Sequence, residues 1–407
     1  MNQSSLTPIL KNDYKITNNT AMIQKSLLRA AFLISFCLAC AFFSFIRYRS
    51  EIAMEFCFLS LIVPAIYCLV SGLVNINVTL KTYRIALLYL TPLFFSFIFG
   101  IDENTDYYRS IIILMNLFFA FFLASLFGSR PEHDLPYLVM RQLTFLLFPF
   151  FIYVTLTQRH ADAYTWGRWQ PYGMHPNWWG MMSLGLAWCA LAWKSALIRF
   201  VPLALSLYFM ISVQSRGSSV AFLPAFFFAS GWFYPLSKKN ILHLLTALFL
   251  GFLILIIWSI LSEVSLLNKM TDFLINDVMR SNDPYRGVNS GLTGRTEGYQ
   301  MAWEGFLQSP VFGKGFEEYS FVHNGFLLTL GESGIFTFIG MLYLFYTSIR
   351  SAIKGNRWNN VGYLISYAIV LMTFPRSFNI NMTGMLLLLV LMTEISHRYI
   401  PEKLNRV

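Results

Sequence analysis

Cutting the chain at every Asp, Glu, Lys and Arg leaves twelve charge-free stretches of 16 residues or more: 30–46, 56–80, 85–101, 110–129, 142–158, 169–193, 200–215, 217–237, 240–262, 333–349, 358–375 and 377–393. The next longest, 319–331, has 13. A helix rises about 1.5 Å per residue, so stretches of this length match a hydrocarbon core of about 30 Å. Lipid offers no partner to an open backbone amide, which leaves helices or closed barrels as spanning structures. These stretches are apolar on every face rather than alternating, which argues against a barrel. Hydrophobic residues make up 56% of the chain and charged ones 12%, against about 25% charged in soluble domains. The prediction is an all-α polytopic membrane protein of about twelve transmembrane helices. A disordered chain, a disulfide scaffold and an ordinary soluble enzyme are excluded.

Lys and Arg in short loops set the orientation. With the N-terminus inside, 18 of the 30 basic residues fall on the inner side and seven in short outer loops. The remaining five lie in one long outer segment, 263–323. Both termini are then expected in the cytoplasm. The polar first 25 residues give no cleavable signal peptide, and the first span reads as an uncleaved anchor. The five cysteines all sit in apolar stretches and read as packing. The net charge of +10 follows mainly from the inner-face bias and is no sign of nucleic acid. The chain divides into 1–262 (tail and helices one to nine), 263–323 (a long periplasmic loop with short helices) and 324–407 (helices ten to twelve and a tail).

Within 263–323, Val264, Leu267, Phe273 and Leu274 fall near helical spacing and suggest a helix on the membrane surface. Residues 281–292 are rich in turn formers. A second helix is expected from about Arg295 to Gln308, with Thr293 as its cap and Ser309–Pro310 as its end. Tyr299, Trp303, Phe306 and Leu307 would form its apolar face. Gly313-Lys314-Gly315 reads as a turn, too short for a phosphate loop, and the tenth span should start near His323. A transporter needs little on this side of the membrane, whereas an enzyme acting on a lipid-carried substrate needs a site there.

Four positions could carry chemistry. Arg216 separates two apolar stretches with almost no loop between them. It is either a snorkelling interfacial arginine or one with an anionic partner. Arg295, at the start of the expected helix, reads as a solvated charge or an anion ligand. His323, followed by Asn324, is an interfacial residue or a base for a sugar hydroxyl. Glu332, in an apolar stretch, reads as a structural hydrogen-bonding group or as part of a site. Two arginines could hold a diphosphate in fork geometry and stabilise it as it leaves, and histidine could deprotonate the attacking hydroxyl. That scheme needs no metal and no cofactor.

The stretch from Thr293 to Trp303 (TGRTEGYQMAW), then Ser309 to Gly315 (SPVFGKG), then His323 to Gly334 (HNGFLLTLGESG), resembles the O-antigen ligase/polymerase superfamily. Ser215-Arg216-Gly217 is similar to its upstream serine–arginine element. His175-Pro-Asn-Trp-Trp-Gly180 resembles its Asn-Pro-Asn-x-x-Gly stretch, with His175 in place of the first Asn. The resemblance covers roughly 170–340. It implies a metal-independent, inverting membrane glycosyltransferase of GT-C type whose donor is a glycan on undecaprenyl diphosphate. It also implies that Arg216 and Arg295 hold the donor diphosphate, that His323 activates the acceptor hydroxyl, and that Glu332 orients. Arg159, Arg168, His175 and Arg376 share the outer side and are second-tier candidates, as is Asn324 beside His323.

Polymerases extend one lipid-linked repeat unit with another; ligases transfer the glycan to lipid A–core. Only seven residues separate Gly315 from His323, and ligases often carry a longer insertion there, so polymerisation of O-antigen or exopolysaccharide is the expected activity and ligation the alternative. A twelve-span transporter or a flippase is the competitor outside this family. The expected partners are the lipid-linked donor, a glycan or lipid A–core acceptor, the bilayer of the bacterial inner membrane and a chain-length regulator. Trp166, Trp169, Tyr172, Trp178 and Trp179 read as an interfacial aromatic belt, with sugar stacking as the alternative.

Overall fold

The computed structural model describes residues 75–100, 107–129, 135–158, 164–165, 168–173, 175–213, 215–229, 295–315, 322–372 and 382–400. In chain order these form α1 (Ile76–Phe99), α2 (Tyr107–Gly128), α3 (Leu135–Thr157), β1 (Tyr164–Thr165), β2 (Arg168–Trp169), a 3-10 turn (Pro171–Gly173), α4 (Pro176–Leu191), α5 (Ala196–Ser212), α6 (Arg216–Ala229), α7 (Arg295–Gln308), α8 (Gly325–Lys354), α9 (Trp358–Leu371) and α10 (Met382–Ser396). Among the described residues the expectation of an all-helical chain holds apart from β1 and β2, which pair antiparallel through Tyr164–Trp169 and Thr165–Arg168.

Three described helices are long and apolar enough to cross a membrane: Ile76–Phe99, Pro136–Thr157 and Gly325–Lys354. Ser110–Leu126, Ala196–Ser212 and Thr383–Ser396 are shorter apolar helices. The count of twelve spans is not confirmed: stretches 30–46 and 240–262, and residues 56–74, lie outside the described residues. Where helices are described, charges mark their ends imperfectly. Lys81 and Arg84 lie exposed within the first turns of α1. Arg141 lies within α3, where its Nε donates to Ala192 O at 2.9 Å. Long basic side chains carry their charge away from the apolar surface, so the helix runs on past the residue.

The axis of the bundle is α10. Every residue from Thr383 to Ser396 is buried, and α1, α2, α3, α4, α8 and α9 all pack on it. Close approach relies on small residues, as expected where packing rather than water drives helix association. A side chain at Gly128 on α2 would overlap Met392, Thr393 and Ser396 of α10, and one at Gly340 on α8 would overlap the Leu88 carbonyl of α1. Buried hydroxyls find carbonyls: Ser348 donates to Leu391 O at 3.2 Å and Ser206 to Ser183 O at 2.6 Å, so neither carries a desolvation penalty.

One end of the bundle is closed by charge. Glu394 near the end of α10 is fully buried. It accepts from Arg357 Nε at 2.7 Å and a terminal Arg357 nitrogen at 2.6 Å, and from Asn360 Nδ2 at 2.6 Å. Tyr137 of α3 donates to Asn360 Oδ1 at 2.6 Å, and Ser351 of α8 donates to Glu394 O at 2.6 Å. Helices α3, α8, α9 and α10 meet at this clasp. The opposite end, where α4, α6 and α8 begin, holds His175, Arg216, His323 and Asn324.

Candidate functional site

Asn324 is the N-cap of α8, with extended backbone (φ −153°, ψ 103°) and a side chain that accepts from Phe326 N at 3.0 Å and Leu327 N at 3.1 Å. Asparagine suits this role because its short side-chain oxygen satisfies two amides that the helix leaves open. The expectation that this helix starts near His323 is met. His323 immediately precedes the cap, half-buried, with Nδ1 buried. Tyr299 on α7 donates its hydroxyl to His323 O at 3.3 Å, above a small apolar contact of Ala302, Val322 and Leu328.

His175 caps α4 in the same way. Its Nδ1 accepts from Asn177 N at 3.2 Å, and Pro176 follows at the first helical position, where its missing N–H costs nothing. The His175 and His323 rings face each other with centroids 6.3 Å apart and planes 23° apart. Arg216 is the exposed first residue of α6. Ser215 before it is buried, and a side chain at Gly180 on α4 would overlap Ser215 and Ser218, so the start of α6 meets α4 about a turn below the start of α4. Arg295 is the first residue of α7, four positions before Tyr299. Residues so spaced share one stripe of a helix. The starts of α4, α6, α7 and α8 are therefore tied together by Gly180–Ser215, His175–His323 and Tyr299–His323. Each helix start carries roughly half a positive charge, which makes this end of the bundle suited to an anion.

Glu332, eight residues into α8, is 4% exposed. It lies where the helix breaks. Gly334 has φ +72°, ψ −176°, a backbone region essentially reserved for glycine. The break frees backbone groups that Pro310–Gly315 satisfies. Lys314 N donates to Gly331 O at 2.8 Å, Gly315 N donates to Glu332 O at 3.1 Å, and Ile335 N donates to Pro310 O at 2.9 Å. Ser96 near the end of α1 also donates to Glu332 O, at 2.8 Å. The expectation that Gly313-Lys314-Gly315 is a turn is met, since the Lys314 and Gly315 amides are spent on α8. Phe312 in this turn contacts Phe99 of α1 with ring centroids 4.9 Å apart.

Helix α7 spans Arg295–Gln308 as expected, but its inward face differs. The buried residues are Gly298, Ala302 and Gly305, with Tyr299 and Phe306 half-buried, while Trp303 and Leu307 are exposed. Small residues let α7 lie close against α8, and the large apolar residues fall to the side. The aromatic belt is also corrected. Trp169 is 1% exposed, Trp178 8% and Trp179 0%, and they pack in the core. Trp169 Nε1 donates to Gln158 O at 2.6 Å and Trp179 Nε1 to Pro171 O at 3.0 Å, so those two indoles are buried without an orphaned donor.

Arg168 stands in β2 opposite Thr165, with its side chain outside the described residues. Arg159, Trp166, Thr293, Arg376 and the helix expected near 264–274 lie outside them as well, and so does the side chain of Arg295. Among the described residues, no group of three His, Cys, Asp or Glu side chains gathers as metal ligands would.

The protein-family model described as O-antigen ligase matches residues 201–342. The matched segment overlaps the stretch whose motifs resemble the O-antigen ligase/polymerase superfamily, and with the apolar helices it supports an integral membrane protein. The match contains Arg216, Arg295, His323, Asn324 and Glu332. No curated protein matches the chain.

Proposed function

We propose that the protein is a glycosyltransferase of the bacterial inner membrane that takes a glycan from undecaprenyl diphosphate at the periplasmic side and adds it to another lipid-linked repeat unit. The observation that carries this reading is the contact of His323 with His175 at the start of α4 and with Tyr299 of α7, with α6 held against α4 at Gly180 and Arg216 and Arg295 as the first residues of α6 and α7. The donor's diphosphate binds where these helix ends and arginines supply positive charge. The acceptor hydroxyl loses its proton to the His323 imidazole as its oxygen attacks the anomeric carbon. The bond from that carbon to the diphosphate oxygen breaks on the opposite face, with inversion, and the two arginines receive the charge that develops on the leaving diphosphate. Asn324 fixes the start of α8 and thereby the His323 backbone. Glu332 orients the same region, and Arg168 and Arg376 bind glycan or phosphate. Charge neutralisation by the arginines leaves no step that calls for a metal or cofactor. The loop 263–323 faces the periplasm and both termini lie in the cytoplasm.

Polymerisation is favoured by the short Gly315–His323 connection and the wording of the TGR and HNGFL motifs. Ligation to lipid A–core is the second reading, favoured by the description of the matching family. A clean deletion strain tests both. Loss of long chains, with single repeat units left on core or carrier, establishes a polymerase. Long chains that persist on the carrier and never reach lipid A–core establish a ligase. Unchanged lipopolysaccharide and exopolysaccharide would overturn the proposal.

A further inference from the structure

The His175 Nδ1 lone pair faces the Asn177 amide at 3.2 Å, so the single proton of the neutral ring sits on Nε2. Protonating Nδ1 would break this cap and place a second positive charge at the start of α4, where the helix already presents its positive end. His175 is thus held as a neutral ring with a fixed tautomer, through a bond to its own helix. That neutral ring lies nearly parallel to His323, 23° off with centroids 6.3 Å apart. The two residues are 148 positions apart in the chain. They are brought together because each stands at the start of a helix that packs on α10.

We propose that His175 is a positioning residue for His323: its neutral, capped imidazole fixes the plane of the His323 ring and offers a π face to the imidazolium that forms when His323 takes the acceptor's proton. This rests on the general-base reading of His323. An asparagine at 175 would supply the same cap, since asparagine is among the strongest N-cap residues, but it has no ring to face His323. The cap and the ring can therefore be separated by one substitution. The titratable and charged groups at the four helix starts and along α7 are His175 before α4, Arg216 on α6, Arg295, Glu297, Tyr299 and Glu304 on α7, and Glu332 eight residues into α8. Of these, His175 is the one whose ring stacks on His323.

The test compares wild type with His175→Asn in the full-length, detergent-purified protein. Carbethoxylation of His323, read by peptide mass spectrometry across a pH series, reports its protonation without requiring transfer. A π face stabilises the charged form, so its removal lowers the pH at which His323 loses its proton, by about half a unit. Transfer assays of the same variant should show a lower kcat at unchanged KM, with thermal stability retained because the cap is retained. His175→Ala should lose both ring and cap and melt earlier. An unmoved carbethoxylation midpoint with wild-type kcat in His175→Asn overturns the pairing and leaves His175 a cap alone. Normal transfer by His323→Ala overturns the general-base reading on which the pairing rests, and the carbethoxylation series shows which of the two has failed.

Discussion

Replacing Gly334 by alanine tests whether the broken helix matters to the site. Alanine at φ +72°, ψ −176° costs about 1–3 kcal/mol in backbone strain. Its Cβ would also overlap the Val311 carbonyl and approach Phe312 N, so the Pro310–Gly315 turn must retreat from α8. Retreat loosens three backbone hydrogen bonds, at 2.8, 3.1 and 2.9 Å, each worth about 1 kcal/mol net. If α8 instead closes into an unbroken helix, it regains part of that sum but leaves the turn's donors without carbonyls. On either route the expected loss is about 2–4 kcal/mol, with α7 and the His323 region released from α8. The assay pairs thermal unfolding in detergent with glycan transfer in membranes. Gly334→Ala should melt several degrees earlier and transfer poorly while still inserting. Leu342→Ala, on the exposed face of the same helix, should match wild type in both. Wild-type melting and transfer by Gly334→Ala would refute the idea that the break positions the site.

Four further outcomes are expected. Arg216→Ala, Arg295→Ala and His323→Ala should each abolish transfer without loss of membrane insertion; normal transfer by either arginine variant would remove it from the diphosphate site. Activity should survive EDTA, and loss restored by Mg²⁺ would contradict the metal-free scheme. Arg357→Met should cost about 3–5 kcal/mol, because it strands the buried Glu394 carboxylate. The double variant Arg357→Met/Glu394→Gln should recover much of that in thermal unfolding, and additive losses would argue that the pair is not coupled. A tag within 281–292 should react with periplasmic reagents and one at the C-terminus should not; the reverse would invert the topology.

Charge boundaries made some elements legible. The stretch 110–129 and α2 (Tyr107–Gly128) agree within three residues, because the one charge in the helix, Arg109, stands in its first turn. They failed for α8, where Glu332 is buried inside the helix and a cut at the carboxylate removes its first two turns. The start of α7 was readable from turn residues and periodicity, but its inward face was not. Periodicity weights large apolar residues, whereas close helix contact selects Gly298, Ala302 and Gly305. The indoles of Trp169 and Trp179 read as interfacial because their carbonyl partners, Gln158 and Pro171, are chosen by the fold rather than by sequence spacing. Glu394 read as the end of an apolar stretch; its partner Arg357 stands 37 residues earlier, and no local pattern links them. Motif wording singled out His323, Arg216 and Arg295 as candidates, while the facing of His175 and His323 belongs to the tertiary structure.

The central place of α10 bears on biogenesis. The helices that surround it precede it in the chain, so they are made first and the piece that fills the space between them leaves the ribosome after them. Until then α1, α2, α3, α4, α8 and α9 lack the surface they share, and Arg357 lacks its carboxylate. Membrane insertion and tertiary closure are therefore separated in time. A chain cut before Met382 would still insert its earlier spans, but it would hold the starts of α4 and α8 too loosely to keep their histidines face to face.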